Sequence, residues 1–425
     1  MYLLSSAGYS VTGETEDADI VLLNTCGFIE SAKTEAIETI LELAQAKKKG
    51  KTKKLIVAGC LAQRYKNDIL KELPEIDAVL GTGSFDDIVD IVKNNIVESF
   101  NSTDAPVSET PRIISTSPAW AYLKIAEGCD NFCAYCCIPE IRGRFRSRPM
   151  ENIVAEASRL ADSGILEIII VAQDVTMYGL DLYGKHMLPQ LLTELNKIEK
   201  LKWIRLHYLY PASIDDRLID VIAKSDKILK YLDIPIQHIN NKILKKMNRK
   251  GSGNDIRNLL CRLRERIPGV VLRTSIITGL PGEGDNEFNE LYGFLVNAKI
   301  ERAGIFTYSP EEGTKAAMMN KPSKEIAEER AKKLTELQSH IMTEWNKSRI
   351  GTFTDVLVED KTININGKTH LLARSYAESP DIDGYITLQA KPLENRSGYL
   401  AHNIKKLNSC RITGVINGEL TGKIL

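Results

Sequence analysis

The apolar stretch Ala18-Asp19-Ile20-Val21-Leu22-Leu23-Asn24 reads as a buried strand, and an amphipathic helix follows over 31–47. A second strand is predicted at Lys54-Leu55-Ile56-Val57-Ala58, then a further helix and a short strand near Ala78-Val79-Leu80. This β-α-β-α-β pattern predicts a parallel sheet covered by helices. Residues 101–118 carry Pro106, Pro111 and Pro118 among many Ser and Thr and read as a linker. From 119 to 310 strands at 120–126, 167–173, 202–207, 230–236, 270–277 and 303–308 alternate with helical patterns such as Glu151–Ser163 and Asn286–Asn297. Six such units predict a partial (β/α)6 barrel with its active site at the C-terminal ends of the strands. A charged helix is predicted over 323–347. Short alternating stretches at 353–359, 369–376, 384–389 and 409–416, separated by Gly and Asn turns, then predict a small β-barrel. The expected fold class is α/β in four stretches: an N-terminal parallel-sheet domain at 1–103, a linker at 104–118, the barrel with its trailing helix at 119–347, and the small β-barrel at 350–425.

Composition narrows the picture little. The chain has 425 residues, 43% apolar and 26% charged, as expected of two to four globular domains. No apolar run approaches a membrane span and no signal peptide is read at the start, so a cytoplasmic protein is expected. A net charge of zero argues against a generic nucleic-acid binder. The one basic run, Lys47, Lys48, Lys49, Lys51, Lys53 and Lys54, reads as a solvated connection between a helix and a strand. The eight cysteines are dispersed, and a reducing compartment is expected.

Three of those cysteines carry chemistry. Cys129-Asp130-Asn131-Phe132-Cys133-Ala134-Tyr135-Cys136 is a C-x3-C-x2-C triplet with an aromatic before its last member. Three thiolates hold three irons of a 4Fe–4S cluster and leave the fourth iron open to a small molecule. A zinc knuckle is the alternative, but zinc needs a fourth close ligand. Cys137 adjoins Cys136 and points elsewhere, and no His lies between Cys60 and His186. Cys26 and Cys60 follow the first two predicted strands in similar contexts, Asn24-Thr25-Cys26-Gly27 and Ala58-Gly59-Cys60-Leu61. Cysteines at neighbouring strand ends converge on one site; the alternative is two small buried apolar side chains.

The triplet resembles that of radical S-adenosylmethionine enzymes. Together with Leu23-Asn24-Thr25-Cys26-Gly27-Phe28-Ile29, Gly59-Cys60-Leu61-Ala62-Gln63-Arg64-Tyr65 and Leu123-Lys124-Ile125-Ala126-Glu127-Gly128-Cys129, it makes the whole chain similar to the radical S-adenosylmethionine methylthiotransferases. Members carry an N-terminal domain with an auxiliary cluster, a radical barrel and a C-terminal TRAM domain. One branch modifies an adenosine of transfer RNA; another modifies an aspartate of small-subunit ribosomal protein S-twelve. Tyr178-Gly179-Leu180-Asp181-Leu182-Tyr183-Gly184, Phe306-Thr307-Tyr308-Ser309-Pro310-Glu311-Glu312-Gly313-Thr314 and Ala373-Arg374-Ser375-Tyr376-Ala377-Glu378-Ser379-Pro380-Asp381-Ile382-Asp383-Gly384 resemble the second branch. Residues 350–425 carry nine Lys/Arg and eight Asp/Glu, less basic than a transfer-RNA clamp requires. The acidic turn Glu378, Asp381, Asp383 is expected to suit a basic protein target. Adenosine methylthiolation of transfer RNA, and a non-catalytic form that only binds its target, stay open as alternatives.

The resemblance also implies roles. Cys129, Cys133 and Cys136 would hold the cluster that reduces S-adenosylmethionine, and the resulting radical would take hydrogen from the aspartate β-carbon. Sulfur would come from a second 4Fe–4S cluster on Cys26 and Cys60, and a second S-adenosylmethionine would give the methyl group. The family uses a third auxiliary cysteine. Met1-Tyr2-Leu3-Leu4-Ser5-Ser6-Ala7-Gly8-Tyr9 looks like the later half of the family's first helix, so that ligand and an opening strand are expected upstream of Met1; a natural variant with a two-cysteine cluster or none is the alternative. The chain as written is then expected to cleave S-adenosylmethionine but to fail at sulfur insertion, or to fold poorly at its N-terminus, with an open sheet position beside 18–24. Tyr135 is expected against the adenine. Gln173 and Asp174, Arg205 and His207, and Gln237 and His238 end successive strands and are expected to contact cofactor or substrate. Gly279 and Gly282 would let backbone approach the cofactor. Arg142, Arg144, Arg146 and Arg148 alternate, which predicts one side of an extended segment drawing in the target carboxylate or seating the N-terminal domain. Cys137, Cys261 and Cys410 read as bystanders. The expected partners are ribosomal protein S-twelve, an electron donor of flavodoxin or ferredoxin type and a sulfur donor, with no membrane.

Overall fold

The computed structural model describes every residue except Lys51, Asn67 and 390–405. The chain divides into two compact units: 1–114 with 127–147 and 309–319, and 115–126 with 148–308 and 320–425. The stretch carrying the cysteine triplet therefore folds with the N-terminal residues, whereas the sequence reading grouped it with the barrel.

In the first unit β1 (Ile20–Thr25), β2 (Lys54–Gly59), β3 (Ala78–Leu80) and the short β4 (Glu98–Ser99) pair in parallel in that order, with β1 at the edge. Alternation along β2 serves both faces. Leu55 and Val57 pack with Val21, Ala36 and Ile40, while Ile56 and Ala58 pack with Ala78, Leu80, Ile88 and Ile91. Helix α1 (Glu30–Lys48) buries Ala36, Ile40 and Ala44, one residue per turn. The lysine run is tied down locally. Lys47 pairs with Asp77, Lys48 with Glu75, Lys53 with Asp19, and Lys54 donates to the Ile91 carbonyl. Lys51 lies outside the described residues. Strand β4 escaped the sequence reading because two residues make no period.

In the second unit β5 (Trp120–Lys124), β6 (Glu167–Val171), β7 (Trp203–Leu206), β8 (Ile228–Asp233), β9 (Val271–Thr278) and β10 (Arg302–Thr307) form a six-stranded sheet in sequential order. Every pairing is parallel. Helices fill the crossovers, with starts fixed by capping side chains. Asp215 accepts from Leu218 N at 2.9 Å, and Ser252 with Asp255 forms a capping box. The long helix Lys324–Ser348 lies against β9 and β10. The C-terminal strands β11 (Phe353–Ile365), β12 (Lys368–Arg374), β13 (Ile386–Leu388), β14 (Leu407–Ile416) and β15 (Glu419–Ile424) close into a barrel around Val356, Val358, Ala373, Ile386 and Ile412. Strand β15 is additional to the predicted set. Trp203, Tyr231, Val271, Leu357 and Ala377 form one core cluster shared by the two sheets of this unit.

Polar side chains deepen that junction. Glu167 of β6 accepts from Arg205 Nε at 2.7 Å and Arg374 Nη2 at 2.8 Å, all three fully buried. Arg374 also pairs with Glu359, which takes the Trp120 indole N–H at 3.0 Å. Glu378 accepts from Arg302 at 2.9 Å, from Arg349, and from Ser375 N at 3.0 Å.

Candidate active site

The triplet loop is shaped by residues other than its cysteines. Gly128 has φ +82°, and a Cβ there would lie 2.0 Å from the Arg144 carbonyl oxygen, so only glycine fits. Cys129 N donates to Gly143 O at 3.2 Å, and Cys136 N to Cys133 O at 3.0 Å. Asp130 accepts from Arg144 Nε at 2.7 Å and from Phe145 N at 3.1 Å. The Arg144 guanidinium also sits 5.4 Å from the ring of Phe132, which takes φ +48°. The three thiols are half-buried and free of disulfides. Among the described residues no three Cys, His, Asp or Glu converge on one metal ion. A cubane cluster takes each thiolate on a different iron, and three half-buried thiols on one short loop are a donor set of that kind. Burial pushes the Cys136 thiol far up, with the neighbouring cysteines adding to the effect; a bound metal deprotonates such a thiol outright.

Cys26 and Cys60 lie in the same unit. They directly follow Thr25 and Gly59, partners across β1 and β2, so adjacent strand ends present them side by side. A Cβ on Gly27 would stand 2.8 Å from the Leu61 backbone, which measures how closely the two turns approach. Cys26 is exposed; Cys60 is buried and opens the short helix α2 (Cys60–Arg64). Arg142 donates to Cys60 Sγ at 3.2 Å and pairs with Glu127 at 2.6 Å. A cationic donor on this sulfur suits a thiolate ligand. Cys137 packs buried against Cys60, Ile141 and Phe28, and burial pushes its thiol up to about 11. Cys410 lies in the core of the C-terminal barrel and Cys261 is exposed.

The four arginines after the triplet do not share one side. Arg142 ends the helix Ile138–Arg142 and reaches Cys60; Arg144 holds Asp130. Arg146 donates to the Arg144 carbonyl at 2.7 Å, and buried Arg148 pairs with Glu156 at 2.8 Å. A helix end interrupts the predicted extended run. Tyr135 is half-buried within the triplet loop.

In the second unit Gln173 and Asp174 follow β6. Gln173 Oε1 is buried and has no hydrogen-bond partner among the described residues. Buried Asp174 caps the turn at 175–177, accepting from Thr176 N at 3.0 Å. Gln237 takes φ +68° beyond β8, its backbone pinned to β9 through Ser275 O and Ile277 N at 2.9 Å each. Buried His238 faces Glu283 at 3.4 Å. Gly279 has φ +75°, and a Cβ there would meet Ala327 Cβ at 2.4 Å, so a packed helix occupies that space. A Cβ on Gly282 would meet only the flexible end of Lys246, at 2.8 Å.

Two expectations are corrected. Arg205 is not open to a cofactor: it is fully buried, bonded to Glu167 and to the carbonyls of Tyr376 at 2.8 Å and Ser375 at 3.4 Å. The turn at 378–383 is no acidic surface. Glu378 is buried between arginines, Asp383 takes the Tyr231 hydroxyl and Ser379 N, and exposed Asp381 is paired with Lys361 and Tyr385. His207 serves the same turn, its Nε2 2.9 Å from Ser379 Oγ; burial drives its pKa down to about 3 and keeps it neutral. Sequence reasoning missed Glu127 and Glu311, which touch the cysteine-bearing segments. Glu311 stood in a quoted motif, but nothing local marked it as buried.

The radical SAM superfamily model matches residues 123–295, and the model of the uncharacterized protein family UPF0004 matches 1–81. A Clostridium perfringens protein named ribosomal protein uS12 methylthiotransferase RimO is 44% identical over 418 residues, 97% of this chain and 93% of the relative. A protein of the same name from Acetivibrio thermocellus is 47% identical over 408 residues, 92% and 89% of the two chains. Among solved structures, the radical S-adenosylmethionine methyltransferase TsrM from Kitasatospora setae, with tryptophan substrate and a SAM analog bound, aligns with a TM-score of 0.52 at 14% identity. It covers 71% of this chain and 64% of that one, a likeness of fold. Near full-length identity at this level means that this chain belongs to the RimO family of ribosomal protein uS12 methylthiotransferases.

Proposed function

We propose that this chain methylthiolates the β-carbon of an aspartate in ribosomal protein uS12. The observation that carries the reading is the near full-length identity to RimO proteins, joined to a triplet loop fastened by its glycine and arginine that carries three thiols outside any disulfide. Cys129, Cys133 and Cys136 would hold one 4Fe–4S cluster and Cys26 and Cys60 an auxiliary one; against the expected failure at sulfur insertion, this reading takes those two cysteines as enough for the auxiliary site to deliver sulfur. When bound, these groups supply the electron that splits S-adenosylmethionine into a carbon radical and the sulfur that replaces the hydrogen it removes. Gln173 offers its buried, unpartnered Oε1 to the methionine ammonium or the ribose. Tyr135 offers a ring face to the adenine. Gln237, Asp174 and Gly282 stand at strand ends where they would border the cofactor. Arg142 orients the Cys60 sulfur.

An aspartate β-carbon is a poor acid, so removing a hydrogen atom avoids forming a carbanion. A flavodoxin or ferredoxin would feed electrons, a sulfur donor would replenish the auxiliary site, and the cytoplasm is the compartment where such clusters persist. Among the described residues no helix is long and apolar enough to cross a membrane. Because the turn at 378–383 is engaged internally, preference for a protein over transfer RNA rests on the relatives and not on that turn.

The test is anaerobic reconstitution followed by dithionite and S-adenosylmethionine. The chain should release 5′-deoxyadenosine, and Cys133→Ala should not. Release by Cys133→Ala at the parent rate would overturn the assignment of the triplet.

A further inference from the structure

Residues 309–319 fold with the first unit and touch both sets of cysteines. Glu311 is 2% exposed. Its carboxylate accepts from Arg64 Nη1 at 2.9 Å, Glu30 N at 2.9 Å and Ser309 Oγ at 2.7 Å, with Lys33 Nζ at 3.2 Å. Arg64 Nη1 also donates to the Gly27 carbonyl at 2.9 Å, and Nη2 to the Glu312 carbonyl at 2.9 Å. Gly27 follows Cys26, Glu30 opens α1, and Arg64 ends the helix that Cys60 begins. One carboxylate therefore gathers the first turn of α1 and both cysteine-bearing turns. Five residues further on, Ala316 N donates to Ala134 O at 2.8 Å, between Cys133 and Cys136. Burial works against the charge on Glu311, but its bonds to Ser309, Arg64 and Lys33 outweigh it and keep the carboxylate ionised. A neutral amide there would face two cations with fewer acceptor sites.

We propose that Glu311 is a positioning residue: through Arg64, Lys33 and Glu30 it fixes the Cys26 and Cys60 turns, while its own segment is fastened to the Cys129–Cys136 loop, so that sulfur transfer stays coupled to radical formation. This rests on the function proposed above. A misplacement of reacting groups of about 1 Å costs on the order of 100-fold in rate. Glu311→Gln should therefore keep releasing 5′-deoxyadenosine while methylthiolated product per 5′-deoxyadenosine falls about 10-fold or more.

The experiment has two arms. In metal-free full-length protein, hydrogen exchange should quicken at 26–34 and 60–64 in Glu311→Gln and stay unchanged in the second unit. In reconstituted protein, the magnetic coupling between the two reduced clusters should broaden in the EPR spectrum as the product ratio drops. Ser309→Ala, which removes one bond to Glu311, should move every readout the same way by less, and it serves if Glu311→Gln does not fold. Unchanged exchange, or a fall of 5′-deoxyadenosine in proportion to product, overturns the proposal. Absence of 5′-deoxyadenosine from the parent protein overturns the proposed function instead, and the exchange arm still decides the role of Glu311.

Discussion

Replacing Glu378 by Gln should destabilise the second unit by about 3 kcal/mol at pH 7. Glu378 is buried between Arg302 and Arg349, and Ser375 donates to it through both backbone and hydroxyl. Burial alone would raise its pKa; Arg349 and Arg302 outweigh this and hold it well below the usual carboxylate range, at about 2. Holding a carboxyl at about 2 instead of its ordinary value of about 4.3 corresponds to about 3 kcal/mol favouring the ionised native state. A lowered native pKa means that this contribution is complete above pH 4.5 and disappears as pH falls from there towards 2. The gap between parent and Glu378→Gln should thus shrink by about 1 kcal/mol between pH 7 and pH 3.5. The assay is urea unfolding followed by tryptophan fluorescence. All three tryptophans, Trp120, Trp203 and Trp345, lie in this unit. Trp345 stacks on the two arginines concerned, with guanidinium carbons 5.1 and 4.8 Å from its ring. A cost below about 1 kcal/mol at pH 7, the range of a surface pair, or a gap that does not narrow in acid, would refute the reasoning.

Three further outcomes are expected. His207→Gln should flatten the acid sensitivity of the second unit: with the His207 pKa at about 3, the unfolded chain binds its proton first, so the parent should lose about 3 kcal/mol more than the variant between pH 6.5 and pH 4 in the same urea assay. Gly128→Ala should abolish assembly of the triplet cluster, read as a loss of bound iron with the second unit's unfolding unchanged, because its methyl group would collide with the Arg144 carbonyl. Isolated residues 350–425 should show no cooperative thermal transition by circular dichroism, because Arg374 and Glu378 would lose Glu167 and Arg302.

Periodicity carried most of the architecture. The buried runs at Ile20–Thr25 and Lys54–Gly59 and the six barrel strands were legible because each is long enough to show its pattern. Strand β15 was missed although a signal was there: Asn417-Gly418, with φ of +52° and +84°, is a two-residue hairpin turn like Asn366-Gly367, and such a pair marks a strand on each side. The triplet was plain in sequence because its ligands are local. Arg205 and Glu378 were misread for the opposite reason. What buries Arg205 is Glu167 from a neighbouring strand and a turn about 170 residues away; Glu167 and Arg374 stand 207 residues apart. A charge at a strand end or in a turn looks free until such distant partners are known. Glu311 hides likewise, 247 residues from Arg64.

The central claim is tested most directly by mass spectrometry of the substrate. The reconstituted full chain, S-adenosylmethionine and a reductant should be incubated anaerobically with ribosomal protein uS12 in one vessel and unmodified transfer RNA in another. The account predicts the mass of one methylthio group on a single aspartate-containing uS12 peptide, absent with Cys133→Ala, and unmodified nucleosides from the transfer RNA. Methylthioadenosine in the RNA digest with an unmodified uS12 would contradict it.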